Sequence, residues 1–416
     1  MEQQKILIIG LVWPEPESSA AGTRIVQLIK LFHRSGYHIS FASAASKSEF
    51  SCNLKALQVT EYPIKLNDSG FNELLKTLQP DVVLYDRFMI EEQYGWRVHQ
   101  ECPGALKILD TEDLHFLRQA RQQAIKTGHT DLYSDLAKRE IAAILRCDLS
   151  LIISEMEITL LMEQFRIDPS LLYYLPFLEE ELTEAQIKNW KSFEEREGFT
   201  FIGNFLHEPN WHTVQILKTK IWPLLRKKIP GAGLHIYGAY PSQKVTQLHN
   251  IKEHFYVHGR AKDARVAIEK HRILLAPIQF GAGVKGKFID AMQTGTPAVT
   301  TSAGAEAMKG NLDWNGAIED QEENFIQKAV QLYQNKELWI EAGKNGINIL
   351  NQRYANARNG IELIKALQEL SEKSDLHRQH NFIGQILQHQ TLNSTKYMSL
   401  WIEEKMRLDS GKEHKN

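Results

Sequence analysis

The sequence predicts an α/β protein of two parallel, doubly wound sheets in tandem, followed by a helical tail. Three observations predict it. Short apolar runs rich in β-branched residues alternate with helical patterns. The alternation starts again after an acidic stretch that begins near residue 180. The chain has 416 residues, enough for two cores at the usual one to two hundred residues each. The expected units are an N-terminal domain over 1–180, a C-terminal domain over 181–370 and a helical tail over 371–416 that crosses back toward the first.

Ile6 to Ile9 is a continuous apolar run, as expected of a parallel strand covered on both faces, and the polar loop WPEPESSAAG follows it. From Thr23 to Ser35, Ile25, Leu28, Ile29 and Phe32 recur at helical spacing, Gly36 ends the segment, and HISFAS resumes as a strand. PDVVLYD (80–86), ALKILD (105–110) and DLSLIIS (148–154) continue the strand series, with a long polar helical stretch from Leu114 to Arg146. Residues 179–198 are acidic and lack a core-forming run, so they bridge the domains or form a solvated surface helix. The second series is FTFIGN (199–204), GLHIYG (233–238), FYVHG (255–259), HRILLAPI (271–278) and TPAVTTS (296–302). Two Rossmann-like domains in tandem are therefore expected. After Leu370 the chain turns polar, then regains a helical pattern near its end.

Composition narrows the function classes. Lys and Arg number 49 against 51 Asp and Glu, a net charge of −2, so no chain-wide basic field exists to hold a nucleic acid or an anionic membrane. Any anion site must be local. The three cysteines, Cys52, Cys102 and Cys147, are widely spaced and form no CxxC pattern, which argues against a disulfide framework or a zinc site and fits a reducing cytoplasm. The apolar start ILIIGLVW is too short to span a bilayer and precedes no small-residue cleavage site.

One stretch concentrates the chemistry. LLAPI delivers the chain to the carboxyl end of a strand, where ligands bind in open α/β sheets. The loop QFGAGVKGK supplies Gly281 and Gly283, which permit close backbone approach, and Lys285, which adds a positive charge. A helix from about Gly286 to Thr294 aims its N-terminal N–H groups at the same point, which suits a phosphate or diphosphate. Asp290 would face the rim and accept from ribose hydroxyls. Gly295 and Pro297 stop the helix. The plain alternative is a βα connection with surface lysines. GxxxxGK[ST] is absent, and no GxGxxG follows the first strand, so nucleoside-triphosphatase and dehydrogenase readings lose most of their support.

Taken whole, APIQFGAGVKGKFIDAMQTGTPAVTTSAGAEAM (276–308) resembles the donor-nucleotide region of GT-B glycosyltransferases, in particular glycosyltransferase family 4. FIGNFLHEPN (201–210), HIYGAYP and VHGRAKD fall in the order that family uses, and the resemblance covers roughly residues 199 to 370. AAGTRIVQLIKLFHRSGYHISFAS resembles its glycine-bearing first loop, with Gly22 near the donor phosphates and the acceptor. The resemblance implies a retaining, metal-independent transfer from a UDP- or GDP-linked sugar, held mainly by the C-terminal domain, to a glycan or lipid-linked acceptor on the N-terminal domain. It implies no further cofactor. Gly203, Asn210, Arg260, Gly281, Gly283, Lys285 and Asp290 become the donor-binding candidates. Two departures stand out. Ala282 and Asp290 occupy the positions where the family places paired glutamates, and GNFLHEPNWH lacks the family's Arg and Lys, leaving Lys285 and Arg260 to carry the diphosphate charge.

ILDTEDLHFLRQAR (108–121) supplies the remaining candidates. His115 would hydrogen-bond the sugar or the acceptor, and Asp113 would orient an acceptor hydroxyl or act as base. The plain alternative is a helix start capped by Thr111 or Asp110. A metal-holding reading of DTED through Asp110 and Glu112 is a further alternative. His207, Asn210 and His212 follow a strand end in the second domain. The basic run KTKIWPLLRKK (218–228), with Trp222 inside it, is either an amphipathic contact to the inner face of a membrane or a solvated helix face. Met398, Trp401 and Ile402 form the stripe by which the tail would dock on the first domain. The second functional reading, drawn from Ala282 and the missing Arg and Lys, is a degenerate subunit that binds nucleotide or a partner without transfer. An epimerase acting on nucleotide-sugars is a third. Oligomeric state is not readable.

Overall fold

The computed structural model describes residues 3–413. Residues 1–2 of the expected first domain and 414–416 of the expected tail lie outside the described residues.

In chain order the first half forms β1 (Lys5–Ile9), α1 (Ala20–Arg34), β2 (His38–Ser43), β3 (Thr60–Pro63), α2 (Gly70–Leu78), β4 (Val82–Asp86), α3 (Phe88–Glu101), β5 (Leu106–Asp110), α4 (His115–Thr127), α5 (Asp135–Arg146), β6 (Leu149–Ile152), α6 (Glu155–Gln164) and β7 (Leu172–Tyr174). The second half forms α7 (Glu184–Lys188), β8 (Phe199–Ile202), α8 (Glu208–Ile216), α9 (Trp222–Lys228), β9 (Leu234–Tyr237), α10 (Gln243–Thr246), β10 (Phe255–Gly259), α11 (Ala264–Glu269), β11 (Ile273–Ala276), α12 (Gly286–Gln293), β12 (Ala298–Thr300), α13 (Ser302–Ala305), β13 (Gly316–Ile318), α14 (Glu322–Gln334) and α15 (Lys336–Arg353). The chain closes with α16 (Asn356–Glu372), α17 (Ser374–His380) and α18 (Phe382–Glu413).

The strands build two parallel sheets, ordered β3-β2-β1-β4-β5-β6-β7 and β10-β9-β8-β11-β12-β13. Parallel strands need covering on both faces, and the central strands read accordingly: VVLYD, LKILD and ILLA are buried throughout. Strand order reverses beside β1 and beside β8. The loops leaving β1, β4 and β5 and those leaving β8 and β11 therefore diverge around crevices at the carboxyl ends, and the two crevices face each other. The short edge strands β3, β7 and β13 are absent from the sequence reading because they have three or four residues each and no continuous apolar run.

The polar stretch 114–146 is two helices. Gly128 ends α4 in the left-handed region at φ 71°, and Ser134 caps α5 by accepting from Ala137 N. The segment 179–198 does bridge the sheets, but it is anchored: Arg196 is fully buried and bonds Thr296 and Thr294, and Trp190 packs on Gly295. At its start Glu179 lies beside Ala355 in a parallel bridge, with Glu179 N donating to Tyr354 O at 2.8 Å and Asn356 N donating to Glu179 O at 2.7 Å. The two chain crossings between the halves are thus bonded side by side.

The return to the first sheet begins with α16, ahead of residue 371: Leu363 and Leu367 are buried in the core that also holds Ile8, Ile29 and Phe32. α18 then packs along α3 and α5. The expected docking stripe is reversed. Met398 and Trp401 are about 60 % exposed, whereas contact runs through Ser399 with Asn67 and Glu403 with Arg97. Of the expected stripe only Ile402 is half-buried; Met398 and Trp401 turn away from the packed face, so periodicity alone does not pick the side that docks. The basic run is also corrected. Trp222 is buried against Phe199 and donates its indole N–H to Glu253 O at 2.7 Å, so it is not available to a membrane; Lys218 and Lys220 pair with Glu253 and Glu322.

Candidate functional site

A cavity of about 410 Å³ lies between the two sheets, lined by loops that leave the carboxyl ends of β1, β4, β5, β8, β10 and β11. On its second-domain wall β11 leads into the loop 277–285 and then α12. Lys285 precedes the helix with extended backbone, so the first N–H groups of α12 face the cavity without a side-chain cap. Lys285 Nζ donates to Gly283 O at 2.9 Å, and Lys287 Nζ donates to Asn210 Oδ1 at 2.9 Å. Both ammonium groups are pushed down to about 8. Desolvation is the main cause in each case; for Lys285 the carboxylate of Glu306 opposes it, and for Lys287 the charge of Lys285 adds to it. Two half-buried lysines and a free helix start make a local positive site that an incoming diphosphate would neutralise.

Gly203, Asn210, Arg260, Gly281, Lys285 and Asp290 all line this cavity, as do Asp113 and His115 across from them. Four expectations change. Gly22 is buried within the first turn of α1, pressed on the backbone of Glu15, and does not reach the cavity: its role is close packing. Gly283 is likewise behind the surface. Its φ of 60° suits glycine, an added Cβ would lie 2.8 Å from Asp113 Cβ, and its N–H is taken by Glu157 Oε1 at 2.8 Å. Arg260 is committed to the opposite rim, donating to Ser18 Oγ at 3.1 Å and Glu17 at 3.0 Å while lying over Phe50. Asp290 is bound by Arg265 at 3.0 Å, which also holds Glu179. Burial nevertheless keeps the Asp290 carboxyl high, at about 6, against that guanidinium.

On the first-domain wall, Asp113 contacts Arg118 and stands 3.4 Å from His115 Nε2. Burial alone would raise Asp113, but Arg118 and His115 outweigh it and hold the carboxylate below its ordinary range. A carboxylate so held is a weak base. Burial pushes His115 down to about 4 despite Asp113, and His207 across the cavity down to about 4 as well, so both imidazoles are neutral near pH 7. His212 is not at the cavity; it packs edge-on against Phe280. The start of α4 is capped by neither Thr111 nor Asp110. Glu140 of α5 accepts from His115 N and Phe116 N at 3.1 and 3.0 Å instead. Asp110 is fully buried and bound by Arg24 Nε at 2.9 and 3.0 Å, so the DTED metal reading loses its first carboxylate to an ion pair.

Several site residues escaped the sequence reading. Lys287 was legible in the same K-x-K stretch. Arg87, which follows β4, was open to the rule that ligand groups sit past strand ends. Glu112 is named from the sequence only as a metal-holding alternative, and its strained, partly buried setting is not legible there. It adopts φ 63°, rare for a side-chain-bearing residue, lines the cavity, and keeps Oε1 buried without a hydrogen-bond partner. Burial and then the charge of Asp110 push it up to about 8. The clasp across the cleft also depends on tertiary placement. Arg121 of α4 binds both oxygens of Glu306 at 2.7 and 3.0 Å and donates to Gly281 O at 2.8 Å. Tyr240 donates to Glu15 at 2.7 Å, and Asn204 to Ser18 O at 3.1 Å. These contacts bridge the cleft from one domain to the other on both sides of the cavity.

Residues 196–335 match the family model described as glycosyl transferases group 1. No curated protein matches the chain in sequence. Among solved structures, the sucrose-phosphate synthase of Thermosynechococcus elongatus is similar at a TM-score of 0.65 and 14% identity, over 88% of this chain and 99% of that one. HepE of Anabaena, solved with UDP and glucose, is similar at 0.62 and 13%, over 88% of this chain and 100% of that one. TarM of S. aureus, solved as a mutant with fondaparinux, alpha-GlcNAc-glycerol and UDP, is similar at 0.56 and 15%, over 72% of this chain and 58% of that one. The chain thus spans little more than half the length of TarM. The architecture is GT-B, two Rossmann-like domains facing across a cleft, as the sequence predicts. Among the described residues no helix is long and apolar enough to cross a membrane.

Proposed function

We propose, taking as premise a GT-B chain whose second domain is a glycosyl transferases group 1 domain, that the protein moves a sugar from a nucleotide-diphosphate sugar to a glycan or lipid-linked acceptor. The observation that carries this reading is the pairing of Lys285 and Lys287 with the uncapped start of α12 on one wall of the interdomain cavity. In this reading the donor lies on the second domain, over 181–370, and the acceptor on the first, over 1–180. Lys285 and Lys287 hold the diphosphate and stabilise the charge that develops as the glycosidic bond breaks, the term that dominates such reactions. They replace the divalent ion that other transferases use, so transfer is metal-independent, and the acceptor enters on the face the diphosphate leaves, with retention of configuration. Neutral His115 accepts or donates a hydrogen bond to the sugar, and Asp113 fixes Arg118 and His115 rather than acting as base. We place the protein in the cytoplasm, with any membrane contact made at the inner face.

The test is a thermal-shift panel of UDP, GDP and their sugar conjugates, followed by product detection with the stabilising donor. Stabilisation by one nucleotide-sugar, with turnover unchanged by EDTA and product of the donor's anomeric configuration, is the expected result. Loss of turnover in EDTA with recovery in Mn²⁺ overturns the metal-free reading. Ala282, where the resemblance implies a glutamate, favours a second reading as a nucleotide-binding subunit without transfer. Stabilisation without hydrolysis or transfer to any acceptor would decide for it.

A further inference from the structure

A second cavity, of about 450 Å³, lies at the opposite end of the first sheet, between the starts of β5 and β6 and the returning tail. Lys107 of β5 lines it and is only 5 % exposed. The other strong cations there are committed. Arg378 of α17 binds both oxygens of Asp148 at 2.8 and 2.9 Å and the carbonyls of Pro103 and Ala105 at 3.0 and 2.7 Å. Arg146 is held by Glu91. Asp148 spends its remaining capacity on the backbone N–H of Lys107 at 2.8 Å, and Asp375 stands at the exposed rim. The ammonium group of Lys107 makes no hydrogen bond or ion pair among the described residues. The main opposite charge is Asp148, which favours the charged form of Lys107 but gives its oxygens to Arg378 and to the Lys107 backbone N–H, leaving the ammonium itself without a bonded partner. His99 of α3 lines the same cavity from its exposed side; partial desolvation, then the charges of Lys107 and Arg378, lower its affinity for a proton against the opposing carboxylate of Asp148. Burial likewise lowers that of Lys107.

We propose that this cavity binds a small soluble phosphate-bearing molecule, with its phosphate on Lys107 and His99 and the remainder beneath α17 and α18. Phosphate fits for reasons of charge and size. A phosphate monoester carries roughly −1.5 to −2 at neutral pH, which matches the Lys107 ammonium together with one proton taken up by His99. Lysine acts as a point charge for phosphate without needing the planar fork of arginine. The volume exceeds what bare phosphate fills and falls in the range of small-molecule sites. Because His377, Arg378 and Gln388 close the cavity from the tail side, occupancy fastens the tail to the first domain, far from the cleft.

The experiment titrates inorganic phosphate into the full chain at constant ionic strength, reading melting temperature and calorimetric heat. The expected result is a saturable rise in melting temperature that survives in a Lys285→Met/Lys287→Met double variant and is lost, with at least tenfold weaker affinity, when Lys107→Met is added to that double variant. Trypsin cleavage of the tail should slow with phosphate in wild type and not in Lys107→Met. Should Lys107→Met fold poorly by circular dichroism, His99→Ala carries the same expectation. A response retained when Lys107→Met and, separately, His99→Ala are added to the double variant, a response abolished with the cleft lysines alone, or no response in wild type overturns the proposal. A response abolished with the cleft lysines would place phosphate in the cleft; the other outcomes leave the cleft's donor reading untouched.

Discussion

The two walls of the cleft are built in opposite ways. The second-domain wall is one continuous stretch, from Ile278 to Asp290, that leaves a strand, crosses a glycine loop and enters a helix. Its positive character is local: two lysines eleven residues or fewer from the strand end and the N–H groups of α12. The first-domain wall draws on three separate strand ends and mixes charges, with Arg87 and Glu112 at the cavity and Arg24, Asp86 and Asp110 behind them. Together these groups carry two positive and three negative charges if all ionise; burial and the neighbouring Asp110 push the Glu112 carboxyl up to about 8, so Glu112 is the group that keeps a proton near neutral pH. The contrast teaches that an anion site can be written into a short segment, whereas a site tuned by mutual burial exists only once the sheet has assembled.

The largest effect should come from breaking the local wall. Lys285→Ala is expected to lower turnover with the cognate nucleotide-sugar about 100- to 1000-fold, the size seen when one charge-stabilising donor is removed. Its melting temperature should stay within about 2 °C of wild type. Measured nucleotide release and thermal unfolding check both halves. Next is Gly283→Ala, where the walls touch. A left-handed alanine costs about 1–3 kcal/mol, and the added methyl meets Asp113. We expect a lower unfolding midpoint together with a larger radius of gyration in solution scattering, because the cleft is wedged open. A compact, fully stable variant would refute that contact.

Titration separates the walls. Lys285 and Lys287 are charged below about 8, so affinity for the nucleoside diphosphate should hold at lower pH and decline as pH passes 8. Calorimetry across pH 6.5 to 9.5 reads this decline. Glu112 behaves oppositely in stability. Its folded pKa, about 8, lies above the ordinary glutamate value, so the folded state holds an extra proton between them and stability falls as pH rises through that window. Glu112→Gln removes this slope relative to wild type and leaves nucleotide affinity within about twofold. An equal loss of nucleotide affinity in Glu112→Gln and Lys285→Ala would show that the walls do not divide the work. The smallest effect is expected at Arg121–Glu306, a partly exposed pair worth about 1 kcal/mol at most, in which Glu306→Gln should raise donor hydrolysis relative to transfer about fivefold or less.

How much was legible follows from the same contrast. The strands of both sheets could be read because each central strand is a short uninterrupted apolar run, and the cavity wall from Gly281 to Asp290 because glycine, lysine and helix start are neighbours in sequence. Gly22 and Gly283 were placed on the ligand because glycine in a loop signals close approach; the approach is real, but to Glu15 and Asp113 rather than to a phosphate. Arg260 was given to the diphosphate on charge alone, and its partners Glu17 and Ser18 lie more than two hundred positions away. The tail failed in a different way. A helix carrying apolar residues on two faces does not declare which one is packed, and here Ser399, Glu403 and Arg97 decide it.

The two crossings at Glu179 and Ala355 give the molecule a mechanical character. Two segments locked by hydrogen bonds at 2.8 and 2.7 Å resist sliding and twisting past each other but still bend, so they act as a single leaf hinge. Opening is thereby reduced to rotation about one line. In the proposed transfer, donor entry and product exit would share that rotation, and a change in residue size at Ala355, distant from either lysine, should change turnover while leaving nucleotide affinity unaltered.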